Sequence, residues 1–167
     1  MGLLSYIPFY YIDYLKGDAV YAGKLVSVFL LGGAVGTLAG APSADRWGYK
    51  FYISLTMVLA ALTFPLIFLL EGFPLLLSMT LFWLGMILVS TFSVTVVMAQ
   101  KILPRNLGIA SGLTTGFAIG AGGIGVTLLG VVADRFGVPF AQKSICLFPV
   151  VGFLLTLMLK YPVREKA

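Results

Sequence analysis

Five long apolar runs, each free of charge through its middle, divide this sequence: Leu25–Ala41 with Val20–Lys24 leading into it, Phe51–Leu70, Pro74–Ala99, Ile109–Val132 and Phe140–Leu159. A bilayer core about 30 Å thick is crossed by about 20 apolar residues of helix. All eleven basic and six acidic residues sit at or near the ends of such runs. A chain with 10% charged residues cannot cover a soluble surface, since soluble domains carry about 25%. Disorder is excluded by the same numbers, because an unfolded segment needs low hydrophobicity and high charge. Backbone polar groups in lipid must be satisfied within the segment, so the runs are read as helices. The period-two alternation of a membrane β-barrel is absent.

A sixth apolar stretch, Gly2–Tyr14, is shorter; at 1.5 Å per residue it covers about 20 Å. It reads as a span whose beginning is cut off. The expected fold is therefore an all-α integral membrane protein of six transmembrane helices, the first truncated. The start of the chain lacks the positive n-region and small-residue cleavage site of a signal peptide. If the loop around Asp13–Lys24 is outside, seven of the Lys and Arg residues lie inside and four outside, which favours both chain ends being cytoplasmic, in a cell (inner) membrane.

What is missing narrows the chemistry. With no histidine and the single Cys146, His-ligated metals, Ser-His nucleophiles and disulfide scaffolds are excluded, and no metal site, cofactor or enzymatic activity is expected. The net charge of +5 is spread along the chain without a basic run, so no nucleic-acid partner is expected. Gly120, Gly122 and Gly125 spell G-x-G-x-x-G but follow no strand, which removes the dinucleotide reading.

The chain also repeats itself. Gly32, Gly33, Thr37, Leu38 and Gly40 match Gly122, Gly123, Thr127, Leu128 and Gly130 ninety positions later. At an offset of 89, Ala44, Asp45, Arg46 and Gly48 match Ala133, Asp134, Arg135 and Gly137, with Trp47 against Phe136. Three spans separate the two copies, so they end on opposite sides of the membrane. This predicts a 3+3 inverted repeat within a single six-helix unit: repeat one over 1–70, repeat two over 73–160, and a cytoplasmic tail at 161–167.

GAPSADRWGYK resembles the signature loop of the major facilitator superfamily, roughly G-x-x-x-D-R-x-G-R-K. VVMAQKILPRNLGIASGLTTGFAIGAGGIG with LLGVVADRFG resembles the fosmidomycin-resistance branch of drug efflux transporters. The resemblance covers nearly the whole chain and corresponds to the seventh to twelfth helices, one half of that fold. The chain departs from the motif at Ala41, where glycine is usual, and at Tyr49, where a basic residue is usual. The resemblance implies the C-terminal half of a proton-coupled exporter of small organic molecules or drugs, inactive without an N-terminal six-helix half. A six-helix protein pairing with a second copy, or a vestigial or structural membrane protein, are the alternatives.

Three sets of candidate functional residues follow. Asp45, Arg46, Gly48 and Lys50, with Asp134, Arg135 and Gly137 as the inverted counterpart, are expected to form latches at helix ends. There a carboxylate can bind the free N–H groups of another helix, a contact worth about 0.3–2 kcal/mol. Gly32, Gly36 and Gly40, and Gly108, Gly112, Gly116 and Gly120, form small-xxx-small stripes expected to pack helices closely and to let them slide. Tyr6 and Tyr10 on the first stretch and Thr80, Trp83, Ser90 and Ser93 on the Pro74–Ala99 span are expected to line a substrate cavity, interhelical packing being the competing reading for each. No Asp, Glu, Lys, Arg or His lies in the middle third of any span, so the proton carrier is expected outside this chain. Membrane lipid, a six-helix partner and a small organic substrate are the expected partners.

Overall fold

The computed structural model describes residue 12, residues 18–70 and residues 72–158. The expected first span, Gly2–Tyr14, with Tyr6 and Tyr10, and the tail at 161–167 lie outside the described residues, except Ile12. The helices are α1 Ala19–Trp47, α2 Tyr49–Thr63, α3 Leu66–Leu69, α4 Pro74–Ile102, α5 Leu107–Phe136, α6 Val138–Ile145 and α7 Leu147–Met158. Among the described residues, five helical rods are long and apolar enough to cross a membrane: α1, α2 with α3, α4, α5, and α6 with α7.

Local chemistry sets the ends of these rods. Asp18 caps α1 by accepting from the Val20 N–H at 3.1 Å, satisfying a donor that has no partner inside the helix. Pro74 and Pro139 stand in the first turns of α4 and α6, where a missing N–H costs nothing. Phe64 and Pro65 separate α2 from α3, because proline cannot donate to the preceding turn. Among the described residues two glycines adopt positive φ, Gly48 at +90° and Gly137 at +87°. They occupy matching positions of the repeat, and each alone joins one helix to the next: α1 to α2, and α5 to α6.

The core is a seam between α1 and α4. One crossing separates them, so they run parallel, and residues 32, 36 and 40 of α1 meet residues 82, 86 and 90 of α4. A Cβ on Gly32 would lie 2.0 Å from the Phe82 carbonyl oxygen; on Gly36, 2.1 Å from that of Met86; on Gly85 of α4, 2.1 Å from that of Phe29. The two backbones touch. Contact of this kind replaces the hydrophobic drive that lipid does not provide between helices. Leu25, Phe29, Leu81, Leu84 and Ile87 fill the seam toward one end. Ala44, Tyr49, Tyr52, Ile53, Val94 and Met98 close it at the other.

A line of hydroxyls fixes α2 against α4. Tyr52 donates to Ser90 Oγ at 3.1 Å, and Ser90 passes its own proton to the Ile87 carbonyl at 2.8 Å. One turn further on, the Thr56 and Thr91 hydroxyls lie 2.8 Å apart, both buried. α7 then packs on α2, with Gly152 beside the Met57 sulfur.

α5 is the least buried rod. Only Ala110 and Leu129 of its thirty residues are buried, and among the described residues its backbone comes close to α4 and α6 but not to α1, α2 or α7. The expected close packing of Gly108, Gly112, Gly116 and Gly120 is not made among the described residues: a Cβ at any of them would meet nothing within 4 Å. α1 and α5 thus carry the same glycine spacing, but only α1 uses it. Large apolar side chains such as Leu38 and Phe117 point outward at 79% and 75% exposure, the surface of a protein whose solvent is hydrocarbon.

Candidate functional site

The signature loop folds into a cluster at the end where α1 finishes, α2 starts and α4 finishes. Asp45 lies in the last turn of α1 and Gly48 caps it. The positive φ of Gly48 reverses the chain within one residue, placing Tyr49 and Lys50 in the first turn of α2 beside Asp45. The Tyr49 hydroxyl donates to Asp45 Oδ1. Lys101, in the last turn of α4, donates to the same oxygen at 2.9 Å and sits 4.8 Å above the centre of the Tyr49 ring. One carboxylate oxygen is shared by a phenol and an ammonium, and the ammonium is held over the aromatic face.

The cluster is half open to solvent. The Asp45 and Lys101 side chains are 53% and 44% exposed, while Tyr49 is buried, with 6% of its surface exposed. An ion pair that exposed is worth only about 0–1 kcal/mol. Lys50, from the same loop, reaches across to donate to the Leu157 carbonyl at 3.1 Å. It neutralises an acceptor in the last turn of α7, where a cation also meets the negative end of the helix dipole. One six-residue loop therefore ties four rods together at a single end: α1, α2, α4 and α7. Arg46 is exposed beside it.

The inverted counterpart is simpler. Asp134, Arg135 and Gly137 lie at the far end of α5, all exposed, and Asp134 and Arg135 make no ion pair or hydrogen bond among the described residues. Val138 stands where Tyr49 does in the first copy, and Pro139 where Lys50 does. Neither side chain can donate a hydrogen bond, so the second corner has the turn without the ties.

The four cavity candidates on α4 part company. Trp83 is exposed and Thr80 half-buried. Ser93 is half-buried with its hydroxyl 3.4 Å from that of Thr37 on α1. Ser90 is 1% exposed, pressed between Gly40 and the Tyr52 hydroxyl. The placement of Ser90 as a cavity residue is corrected: that edge of α4 is turned into the seam with α1 and α2, and two of the four hydroxyl or aromatic groups face neighbouring helices instead of open space. The structure does hold a cavity of about 460 Å³ between α2, α4, α5 and α7. Its wall, including Met57, Phe64, Leu88, Val126 and Phe148, contains no hydroxyl, amide or charged side chain and none of the expected residues.

Sequence reasoning did not single out Lys101 as a partner of Asp45, nor Tyr52, Thr56 and Thr91. Lys101 carried one usable signal, since it is the first cation after an apolar span that ends on the same side as Asp45. Among the described residues no group of His, Cys, Asp and Glu side chains could hold a metal ion.

The whole chain, residues 1–167, matches the Major Facilitator Superfamily. It belongs to that family. Over 155 residues it is 39% identical to an uncharacterized MFS-type transporter of Bacillus subtilis (strain 168), a match covering 92% of this chain and 37% of that protein. Over 160 residues it is 34% identical to the fosmidomycin resistance protein of Escherichia coli (strain K12), again covering 92% of this chain and 37% of the relative. The chain thus spans little more than a third of the length of these relatives. No solved structure matches it significantly. The protein is an integral membrane member of a transporter family with a drug-resistance relative, and its five described spans are consistent with one half of such a fold.

Proposed function

We propose that this chain is one six-helix half of a proton-coupled secondary transporter that exports small organic molecules, and that it needs a second six-helix half to do so. Alternating access operates by one bundle rocking against another around a shared site, and a single bundle has nothing to rock against. The observation that carries the reading is the match of 92% of this chain to 37% of a fosmidomycin resistance protein, reinforced by the cluster at Asp45. In this reading Asp45, Arg46, Gly48 and Lys50 on the cytoplasmic side, and Asp134, Arg135 and Gly137 on the other, are the contact points of latches that bias one arrangement over the other. Tyr6, Tyr10, Thr80 and Trp83 contribute amphipathic surface toward the substrate. The proton carrier comes from the other half, because no span of this chain places an Asp, Glu, Lys, Arg or His at mid-depth. The glycine face of α5, open among the described residues, also favours a second reading, in which the partner is another copy of this chain.

The test is export by three preparations in energised membrane vesicles: the chain alone, the chain joined in frame to the first six helices of the Escherichia coli fosmidomycin resistance protein, and that relative itself. Fosmidomycin is the probe. Gradient-driven export is expected from the joined protein and the relative, and none from the chain alone. Robust export by the chain alone would overturn the half-transporter reading, and cross-linking would then show whether a dimer performs it.

A further inference from the structure

We propose that Tyr49 and Lys101 are the positioning residues of the latch carboxylate: they hold Asp45 through Oδ1 and leave Oδ2 as the oxygen offered to a partner helix. The inference rests on the latch reading given above and adds residues to it. Both donors converge on Oδ1, and among the described residues Oδ2 accepts from none. The carboxylate is 53% exposed, so the free oxygen is reachable. A flexible aspartate at a helix end samples several rotamers; one pinned by a phenol on its own following helix and an ammonium on a third helix does not. Pre-ordering of this kind lowers the entropy lost when the second oxygen finds its N–H donor.

The departures from the family pattern point the same way. Tyr49 stands where a basic residue is usual. The phenol supplies a donor without a charge, and its ring provides the seat for a cation brought from α4, 52 positions along the chain. The inverted corner is the internal contrast, since Val138 replaces the phenol and Asp134 has no such tether. Exposure keeps the tether weak, which suits a group that must hand over one oxygen repeatedly without being trapped.

The experiment has two readouts. In the membrane-embedded chain, the carboxylate stretch of Asp45, isolated by subtracting the infrared spectrum of Asp45→Asn, is expected to shift in Tyr49→Phe and in Lys101→Gln. It should return toward its original position in Lys101→Arg and stay in place in Lys50→Gln, whose ammonium serves α7 instead. In the joined transporter described above, Tyr49→Phe and Lys101→Gln are each expected to slow export about two- to fivefold, with Lys101→Arg recovering most of the loss and all variants matched for protein in the membrane. An unmoved Asp45 band overturns the proposal, as does a moved band with unchanged export, which would reduce the contact to a structural tie. If Asp45→Asn itself leaves export untouched, the latch reading fails, and this proposal with it.

Discussion

A methyl group added at Gly32 would place a carbon 2.0 Å from a backbone oxygen of α4 that no rotamer change can move. The same methyl at Gly116, on a helix with identical glycine spacing, meets open space. The two substitutions should therefore have opposite consequences. Gly32→Ala is expected to destabilise the bundle by about 1–3 kcal/mol through overpacking. Gly116→Ala is expected to be neutral or to stabilise by up to about 1 kcal/mol, because alanine forms helix more readily. Unfolding of both variants in the same detergent micelle checks the pair; equal effects would mean the α1–α4 contact is not as close as described. At Gly48, φ of +90° is the obstacle. Gly48→Ala should cost about 1–3 kcal/mol and loosen the Asp45–Tyr49 contact, which the infrared band of Asp45 would report. These residue-scale differences were not legible beforehand. Spacing reveals which glycines share a stripe, while the identity of the surface opposite is a property of the folded chain.

Among the elements, the sequence located each described rod and undershot its length. The apolar run Leu25–Ala41 became Ala19–Trp47, and Ile109–Val132 became Leu107–Phe136. Hydropathy traces the slab of lipid, whereas the helix continues into the headgroup region until Asp18, Gly48, Asn106 or Gly137 ends it. The break at Phe64 and Pro65 within an otherwise continuous apolar run was also invisible to hydropathy. The same limit explains Ser90. Its place on an arc with Trp83 was right as helical geometry, but the arc alone does not say that α1 and α2 converge on its inner end. Because Ser90 accepts from Tyr52 in a buried seam, Ser90→Ala should cost about 1 kcal/mol by leaving the phenol without its acceptor. The double variant with Tyr52→Phe should cost less than the sum of the two singles, measured by unfolding in micelles. Purely additive losses would show that the two hydroxyls are not coupled.

For the molecule as a whole, the inverted repeat makes a topological prediction. With Cys146 replaced by serine, single cysteines at Arg46 and Arg135 should react with a membrane-impermeant thiol reagent from opposite faces: Arg46→Cys only in opened vesicles, Arg135→Cys in intact cells. Labelling of both from one side would sink the arrangement of two corners facing opposite compartments. The fold class and the family were readable in the sequence because each leaves a local trace: charge confined to loop ends, and ADR followed by an aromatic and glycine. The pairing of Asp45 with Lys101 was not readable, because it depends on α1 and α4 lying side by side with their last turns level. Nothing within either segment encodes that alignment.

The touching backbones of α1 and α4 bear on how such a bundle can move. The sliding expected of the Gly32, Gly36 and Gly40 stripe is opposed from the other side of the contact: a shift of one turn would bring Leu81 or Val89 to the place Gly85 holds against the Phe29 carbonyl. Any excursion of the bundle that keeps this contact carries the two rods together, as a single stave.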